Sequence, residues 1–191
     1  MHRQMHFATH LEYLHWLMLE GTPEVVQLCE HYPEVHLETQ YYVFDMWLRW
    51  KDGHEECREV VPGYGYHGVK EFGPATSGWT VIHNWSREHG YACERITEQA
   101  IAPQMRRIQN WRRMLPFVRF AQEHPDNELE AVVLLKLLLA DLSLRELMRT
   151  QPARQGIAVS AAVAKLLHAG KISADLDHGH FGPDLLLKFS S

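Results

Sequence analysis

The apolar positions in the first part of the chain change from a helical to a strand-like spacing. Residues 9–20 carry leucine and aromatic side chains on one broad stripe, which predicts a helix. Residues 41–50 and 54–61 are rich in aromatic and β-branched residues, and the segment 51–53 between them, Lys-Asp-Gly, is typical of a tight turn. The pattern therefore predicts a helix followed by a β-hairpin, with a further short strand at residues 35–37.

Glycine and proline divide the middle of the chain. Residues 62–78 contain five glycines and two prolines, which predicts a loop. The segment 80–89 predicts a helix, 91–96 predicts another strand, and 102–122 predicts a long helix interrupted near Pro116. Together with the hairpin, these elements predict a domain of the mixed α/β class.

A second domain is predicted after a polar break at residues 124–127, His-Pro-Asp-Asn. Beyond it the apolar spacing predicts three helices and then two short strands, which is the pattern of a winged-helix domain. The predicted bounds are 128–140 for the first helix, Ser143 to about Thr150 for the second, Ser160 to Gly170 for the third, and 172–176 and 185–189 for the strands. The expected domains are therefore residues 1–124 and 125–191.

Charge is distributed unevenly along the chain. Residues 1–100 hold 7 Lys and Arg against 15 Asp and Glu, whereas residues 101–150 hold 8 against 6. An acidic first half repels nucleic acid unless a metal ion or a basic partner neutralises it. No apolar run approaches the roughly 20 residues that span a bilayer, and no secretory signal is evident. The three scattered cysteines indicate neither disulfides nor a zinc site, so a cytoplasmic location is expected.

Asp45 and Glu59, one on each strand of the predicted hairpin, form a candidate divalent-metal site. A two-residue loop would send Glu59 to the other face of the sheet from Asp45. A three-residue loop, with Gly53 in the left-handed conformation, would pair Trp50 with His54. Asp45 would then lie opposite Glu59, with their β-carbons roughly 5 Å apart. We predict the three-residue loop; the alternative is that both acids are ordinary charges on an edge strand.

Two further groups of charged residues are candidates for function. Glu12 has apolar neighbours at helical spacing, so it is either a solvated helix acid or a buried carboxylate that needs a partner or a metal. Five arginines recur near one predicted helix face, next to Trp111, and predict either contacts to nucleic-acid phosphates or a solvated basic face. These are Arg106, Arg107, Arg112, Arg113 and Arg119.

A series of short motifs follows in a distinctive order along the chain. They are His10-Leu11-Glu12-Tyr13, Phe44-Asp45-Met46, Asp52-Gly53, Arg58-Glu59-Val60-Val61-Pro62, the segment Gly90 to Glu98, a helix with Asn110, and the predicted winged helix. This order resembles, from end to end, the TnsA family, the endonuclease subunits of heteromeric transposases. Each motif is short and degenerate, so the resemblance depends on their order.

The resemblance implies a restriction-endonuclease-like core of the PD-(D/E)xK type, followed by a winged helix, that cuts DNA at the 5′ ends of a transposon. It implies that Glu12, Asp45 and Glu59 are catalytic acids that hold Mg²⁺ or Mn²⁺. The family has a lysine two residues after the second acid. Here that position holds Val61, which can neither orient a water molecule nor stabilise charge on the phosphate. Lys70, in the glycine-rich loop, could fold back to supply the missing charge.

The partners that the resemblance implies are double-stranded DNA at transposon ends, a TnsB-like transposase of the DDE type that cuts the 3′ ends, and a TnsC-like ATPase. The protein would then act in the cytoplasm, at the nucleoid. The predicted third helix is poor in the Arg, Asn and Gln that read base edges, so this domain is expected to pack against a partner protein. Two alternatives are a non-catalytic adaptor between transposase, ATPase and DNA ends, and a winged-helix DNA-binding regulator.

Overall fold

The computed structural model is a mixed α/β structure that divides into two compact units. The structure describes residues 4–36, 41–61, 75–151 and 156–190. The first unit comprises Met1–Leu19 and Glu24–Pro103, and the second comprises Glu20–Pro23 and Gln104–Ser191. Each unit has a hydrophobic core of its own.

A mixed β-sheet with helices forms the first unit. Its elements are helix α1 (His10–Glu20), strands β1 (Val25–Glu30), β2 (Glu34–His36), β3 (Tyr41–Val43), β4 (Met46–Trp50) and β5 (Glu55–Val61), helix α2 (Ala75–Glu88), strand β6 (Ala92–Thr97), helix α3 (Glu98–Ile101) and a 3₁₀ turn (Ala102–Gln104). The main sheet has the order β1-β4-β5-β6. Strands β1, β4 and β5 are antiparallel neighbours, β6 runs parallel to β5, and β2 and β3 form a separate antiparallel pair.

The turn between β4 and β5 has the three-residue form that the sequence predicts. The Trp50 amide donates to the His54 carbonyl at 3.0 Å, and the Gly53 amide donates to the Trp50 carbonyl at 2.9 Å. Gly53 has a φ of +89°, where a side chain would be strained. The register that follows from this turn pairs Met46 with Arg58. Successive residues of both strands therefore alternate between two faces in the predicted phase.

Helices pack on both faces of this sheet. On one face, Leu19 of α1 packs with Met46 and Leu48 of β4. On the other face, Ile82 of α2 packs with Cys57 of β5. Because side chains alternate along a strand, neighbouring residues of β4 and β5 contact different helices.

Three local predictions for the first unit need correction. The predicted strand 41–50 is two strands, because the backbone bends at Phe44 and Asp45 and the two halves join different sheets. Strand β1 is not predicted, since it is short and interrupts its apolar residues with Gln27. Helix α2 begins at Ala75, earlier than the predicted helix. The rest of the predicted loop, residues 62–74, lies outside the described residues.

The second unit is mostly helical and carries a small antiparallel sheet. Its elements are helices α4 (Met105–Glu123) and α5 (Asn127–Leu139), strand β7 (Leu142–Ser143), helices α6 (Leu144–Arg149) and α7 (Gly156–His168), and strands β8 (Ile172–Ala174) and β9 (Leu186–Phe189). The strand order is β7-β9-β8. The three predicted helices and the final strand pair are confirmed, and the short strand β7 is an addition to them.

The second unit begins at α4, whereas the predicted boundary at residue 124 lies after this helix. Helix α4 belongs to the second unit because its apolar side, including Trp111 and Met114, shares one core with α5, α6 and α7. It also continues through Pro116, where the sequence predicts an interruption. Pro116 is exposed, so the carbonyl of residue 112, which loses its helical donor, can bond to water.

Two of the predicted helix-terminal residues in the second unit lie at a helix end, and a third does not. Ser143 caps α6 in a reciprocal capping box with Glu146. Gly170, with a φ of +67°, follows the end of α7. Ser160 is not at the start of α7, which begins at Gly156. The Ser160 hydroxyl instead donates to the Gly156 carbonyl at 2.9 Å, so it satisfies a bond inside the helix.

Candidate functional site

Asp45 and Glu59 lie at the end of the β4–β5 hairpin away from the turn, with Asp45 directly before β4 and Glu59 within β5. The paired register ends at Met46 and Arg58, and the Asp45 amide donates to the Arg58 carbonyl at 3.1 Å, so the predicted direct pairing of Asp45 with Glu59 is not part of the register. Both side chains are buried, with Asp45 4% exposed and Glu59 7% exposed. The Val60 amide donates to Oδ2 of Asp45 at 2.6 Å, which ties the Asp45 carboxylate to β5. The hairpin therefore brings two buried carboxylates to adjacent positions.

Arg95 lies beside this acid pair, although its place in the sequence gives no sign of it. Strand β6 runs parallel to β5 and sets Arg95 next to Glu59. Nε of Arg95 donates to Oε2 of Glu59 at 2.7 Å. The guanidinium carbon of Arg95 lies 4.3 Å from the centre of the Trp79 ring, within the range of cation–π attraction. The contact joins residues 36 positions apart and depends on a parallel pairing that has no local sequence pattern.

Tyr42 is the neutral member of the same group. Burial raises the pKa of its phenol well above the usual range, and the negative charges of Glu59 and then Asp45 raise it further. The phenol therefore stays protonated beside the Glu59 carboxylate and adds no charge to the group.

Glu12 is buried for a local reason at the start of α1. Its amide donates to Oγ1 of Thr9 at 3.1 Å. Its carboxylate accepts from the Thr9 hydroxyl at 3.1 Å and from the Ala8 amide at 2.9 Å. This arrangement satisfies amides that the first turn of a helix leaves unpaired. Among the residues that the structure describes, no three His, Cys, Asp or Glu side chains are grouped to hold a metal ion, so a metal-binding role for Glu12 stays a prediction.

The position of the family's lysine is an apolar strand residue. Val61 is the last residue of β5 and pairs with Thr97 of β6. Lys70, the predicted substitute, lies within residues 62–74, outside the part of the chain that the structure describes. The positive charge that the described residues place beside the acid pair is Arg95.

The donor set of the acid pair has the chemistry of a site for a hard divalent cation. Proteins bind Mg²⁺ through one or two carboxylates together with water molecules and substrate phosphates. Asp45 and Glu59 supply two buried carboxylates beside the same part of β5. Oε2 of Glu59 is already bonded to Arg95, so a metal ion at Glu59 would compete with the guanidinium.

The opposite face of β5 carries a second group of buried charges. Arg58 donates through Nε and Nη2 to the two oxygens of Glu56, at 2.9 and 3.0 Å, and Nη2 lies 3.2 Å from Glu94. The Trp50 indole donates to Glu56 at 3.1 Å. Nη1 of Arg58 lies 3.4 Å from Nε2 of His15 on α1. These partners make the second group a closed ionic network.

The burial of this network sets the protonation state of its histidine. Burial, and secondly the positive charge of Arg58, lower the pKa of His15 from 6.5 to about 3. His15 is therefore neutral at pH 7. Burial also raises the pKa of Glu94, against the opposing effect of Arg58.

Helix α4 carries the five arginines predicted to contact DNA, but they point in different directions. Nη1 of Arg106 lies 2.6 Å from Nε2 of His180, and Nη1 of Arg113 lies 3.4 Å from Nδ1 of the same ring. Arg107 instead donates to the carbonyl of Gly21 at 2.9 Å. The predicted single basic face is therefore divided by local contacts.

The other two arginines of α4, Arg112 and Arg119, are exposed. Nε of Arg119 donates to Glu123 at 2.8 Å. Trp111, predicted to lie next to the arginines, is buried in the core instead, because its position falls on the apolar stripe of the helix with Met114. A role of these arginines in DNA binding stays a prediction.

Asn110 fixes the loop between β8 and β9 to the helix that carries these arginines. Its Nδ2 donates to the carbonyls of Leu176 and Gly179, both at 2.8 Å, and its Oδ1 accepts from the Phe181 amide at 2.9 Å. The side chain is fully buried. The loop that contains His180 is therefore held by the Asn110 side chain, whose nitrogen and oxygen both make hydrogen bonds to the loop.

Comparisons with known proteins add no family assignment. No protein-family model matches this chain, and no curated protein shows significant similarity to it. Within the described ranges, no helix is both long and apolar enough to cross a membrane. Functional inference therefore depends on the order of the motifs and on the geometry of the described residues.

Proposed function

We propose that this protein is a TnsA-like subunit of a heteromeric DNA transposase, a Mg²⁺- or Mn²⁺-dependent endonuclease that cuts the 5′ ends of a transposon. The supporting observation is that Asp45 and Glu59 are both buried at the end of the β4–β5 hairpin, with the Asp45 carboxylate bonded to the amide of Val60, the residue after Glu59. They occur within a motif order that resembles the family. Two buried carboxylates close together are costly unless a positive charge lies beside them. The proposal includes a restriction-endonuclease-like core and action in the cytoplasm, at the nucleoid.

Each residue of the acid pair and its surroundings has a role in this proposal. Asp45 and Glu59 would hold the cation, which when bound supplies activation of water and neutralisation of charge on the phosphate. The Val60 amide fixes the orientation of the Asp45 carboxylate. Tyr42 stays neutral beside the pair, and Arg95 balances the charge of Glu59.

The second unit would serve as a winged-helix domain in the complex. The order α5-β7-α6-α7-β8-β9, with a three-stranded sheet, is compatible with that domain type. Most side chains of α7 are buried, so DNA contacts would come from the α4 arginines and would be made to phosphates. The exposed Leu135, Leu138 and Leu139 on α5 offer an apolar surface to the TnsB-like transposase or the TnsC-like ATPase.

Strand-specific nicking tests the proposal. The full-length protein, its transposase partner and end-labelled transposon-end DNA are incubated with Mg²⁺ or Mn²⁺, and nicks on the 5′ strand are measured. Asp45→Ala should reduce nicking by about 100-fold or more, the scale on which single electrostatic groups act in catalysis. The matched control is Asp52→Ala, which removes an exposed acid at the hairpin turn and should leave nicking unchanged. Nicking that survives Asp45→Ala would show that the assignment is wrong.

A non-catalytic adaptor is the second candidate, and one observation favours it. Glu59 is already paired with Arg95, and Val61 replaces the family's lysine, so the site has a charge partner without a metal ion. An adaptor would join the transposase, the ATPase and the DNA ends but would not nick. Assembly of the complex and 5′ nicking, measured in the same samples, separate the two candidates. Wild-type protein that assembles without nicking supports the adaptor.

A further inference from the structure

Arg95 supplies the positive charge beside the acid pair Asp45 and Glu59. Asp45 and Glu59 are both buried beside the same part of β5, and like charges repel strongly where water is excluded. The Val60 amide offsets part of the charge on Asp45. Arg95 places a full positive charge 2.7 Å from Glu59, and the Trp79 ring lies under its guanidinium. The arginine is thus held where it reduces the repulsion within the pair.

Arg49 provides an internal comparison on the same face of the sheet. It pairs with Glu55 at 2.6 Å, and its guanidinium carbon lies 5.2 Å from the centre of the Trp47 ring. Glu55 faces Arg49 itself in the register, so the facing positions carry opposite charges. The carboxylate bonded to Arg95, in contrast, belongs to Glu59, and a second buried carboxylate, that of Asp45, is bonded to the next residue of β5. Two arginines with the same local partners therefore stand in different electrostatic settings.

We infer that Arg95 is an internal counter-ion that takes the place of a divalent cation at Glu59 and so sets the metal affinity of the Asp45–Glu59 pair. The inference rests on the proposed function and adds a means of controlling the same site. A guanidinium and a Mg²⁺ or Mn²⁺ ion compete for the carboxylate of Glu59. Wild-type protein therefore binds metal weakly, and loss of the arginine charge leaves two carboxylates whose repulsion a cation relieves.

Binding of Mn²⁺ alone to the full-length protein tests the inference, with free Mn²⁺ measured by electron paramagnetic resonance. Arg95→Gln should bind Mn²⁺ at least about tenfold more tightly than wild type, because one nearby charge commonly shifts a carboxylate's proton affinity by one to three pKa units. Arg95→Lys keeps the charge and should stay close to wild type. Arg49→Gln is the matched control and should also stay close to wild type.

A double variant identifies the ligands. Asp45→Asn in the Arg95→Gln background should remove the gain in Mn²⁺ affinity, since it leaves a single carboxylate. If Arg95→Gln does not fold by itself, Mn²⁺ should restore its folded state, measured as thermal unfolding with and without the ion. Failure of Mn²⁺ to restore that state overturns the inference.

The remaining outcomes separate this inference from the proposed endonuclease. Equal Mn²⁺ affinity in wild type and Arg95→Gln, whether both bind or neither binds, overturns the counter-ion role. A gain that survives Asp45→Asn overturns it as well. Wild-type protein that does not nick DNA, with tight binding in Arg95→Gln, removes the endonuclease and supports the counter-ion. Wild-type protein that nicks, with an affinity independent of Arg95, supports the endonuclease and overturns the counter-ion.

Discussion

Two arginine–carboxylate groups lie on opposite faces of the sheet at β5, and their arginines differ in the number of bonds they make and in their exposure to solvent. On one face, Arg58 makes two bonds to Glu56, and its side chain is 9% exposed. On the other face, Arg95 makes one bond to Glu59, and its side chain is 35% exposed. In the first group the buried charges pair with one another, whereas in the second group part of the arginine side chain is exposed to solvent.

The difference shows that buried charge by itself does not identify a functional site. Residues 56 and 58 form a buried ion pair on a single strand, and His15 of α1 and Glu94 of β6 add to it. The acid pair takes its positive charge from Arg95 of the neighbouring strand β6. Loss of a charge should therefore be costly on the first face and should change ligand binding on the second.

Arg58→Ala should have the largest effect on stability. It leaves the Glu56 carboxylate buried without its bidentate partner, and breaking a buried pair from one side costs about 3–5 kcal/mol. The measurement is urea unfolding followed by tryptophan fluorescence, because all tryptophans except Trp111 lie in the first unit. A loss below about 1 kcal/mol, the range of exposed pairs, would show that the network is not closed.

His15 should make the stability of the first unit depend on pH. Its pKa is about 3 in the folded state, against 6.5 for a histidine in water, so between these values the unfolded chain binds a proton that the folded chain does not. The stability contribution is complete above about pH 6.5 and is lost as pH falls toward 3. At pH 5 the loss should approach about 2 kcal/mol, an order-of-magnitude value.

Comparison of wild type with His15→Gln isolates this effect. The free energy of unfolding is measured in urea at several pH values between 5 and 7. The difference between the two proteins should change with pH, since only the wild type carries the titrating ring. A difference that stays constant across this range contradicts the neutral, buried state of His15.

Arg95→Gln should destabilise the first unit by less than Arg58→Ala. The Arg95 side chain is partly exposed and makes a single bond to Glu59, so the expected cost is about 1–3 kcal/mol. Mn²⁺ should recover part of this loss in the variant, whereas wild type should respond little. The readout is the unfolding midpoint in urea with and without Mn²⁺. A cost equal to that of Arg58→Ala, unchanged by Mn²⁺, would make the two faces equivalent.

Arg49→Gln should have the smallest effect. Both members of the Arg49–Glu55 pair are partly exposed, with 43% and 26% of their side chains accessible, so the cost should be below about 1 kcal/mol. Raised salt should reduce the difference from wild type further. A cost as large as that of Arg95→Gln would remove the distinction between the two arginines.

The hairpin can be predicted from the sequence because the information is local. Gly53 permits the left-handed conformation, and the three-residue turn then fixes the pairing of β4 with β5 as far as Met46 and Arg58. The turn does not fix the position of Asp45 beyond that pair, because the Asp45 amide donates to the Arg58 carbonyl. The capping role of Glu12 also has a local signal, since Thr9 and Glu12 match the Ser/Thr-x-x-Glu pattern of a capping box. That pattern explains the burial of Glu12 without a metal ion.

Features that depend on contacts between residues far apart in the sequence cannot be predicted from local sequence patterns. The sequence around Arg95 predicts a strand but cannot show that it runs parallel to β5 beside Glu59. The aromatic run 41–50 gives no sign of the bend at Asp45, because its composition favours a strand throughout. The place of α4 in the second unit likewise depends on packing with α7, which lies beyond the predicted boundary.

Anomalous scattering from Mn²⁺ in crystals of wild type and Arg95→Gln would locate the cation at the acid pair. We predict a peak in Arg95→Gln at about 2 Å from carboxylate oxygens of both Asp45 and Glu59, and a weaker peak in wild type. Absence of that peak in Arg95→Gln at saturating Mn²⁺, or Asp45 and Glu59 side chains on opposite faces of the sheet, would contradict a metal site at this hairpin.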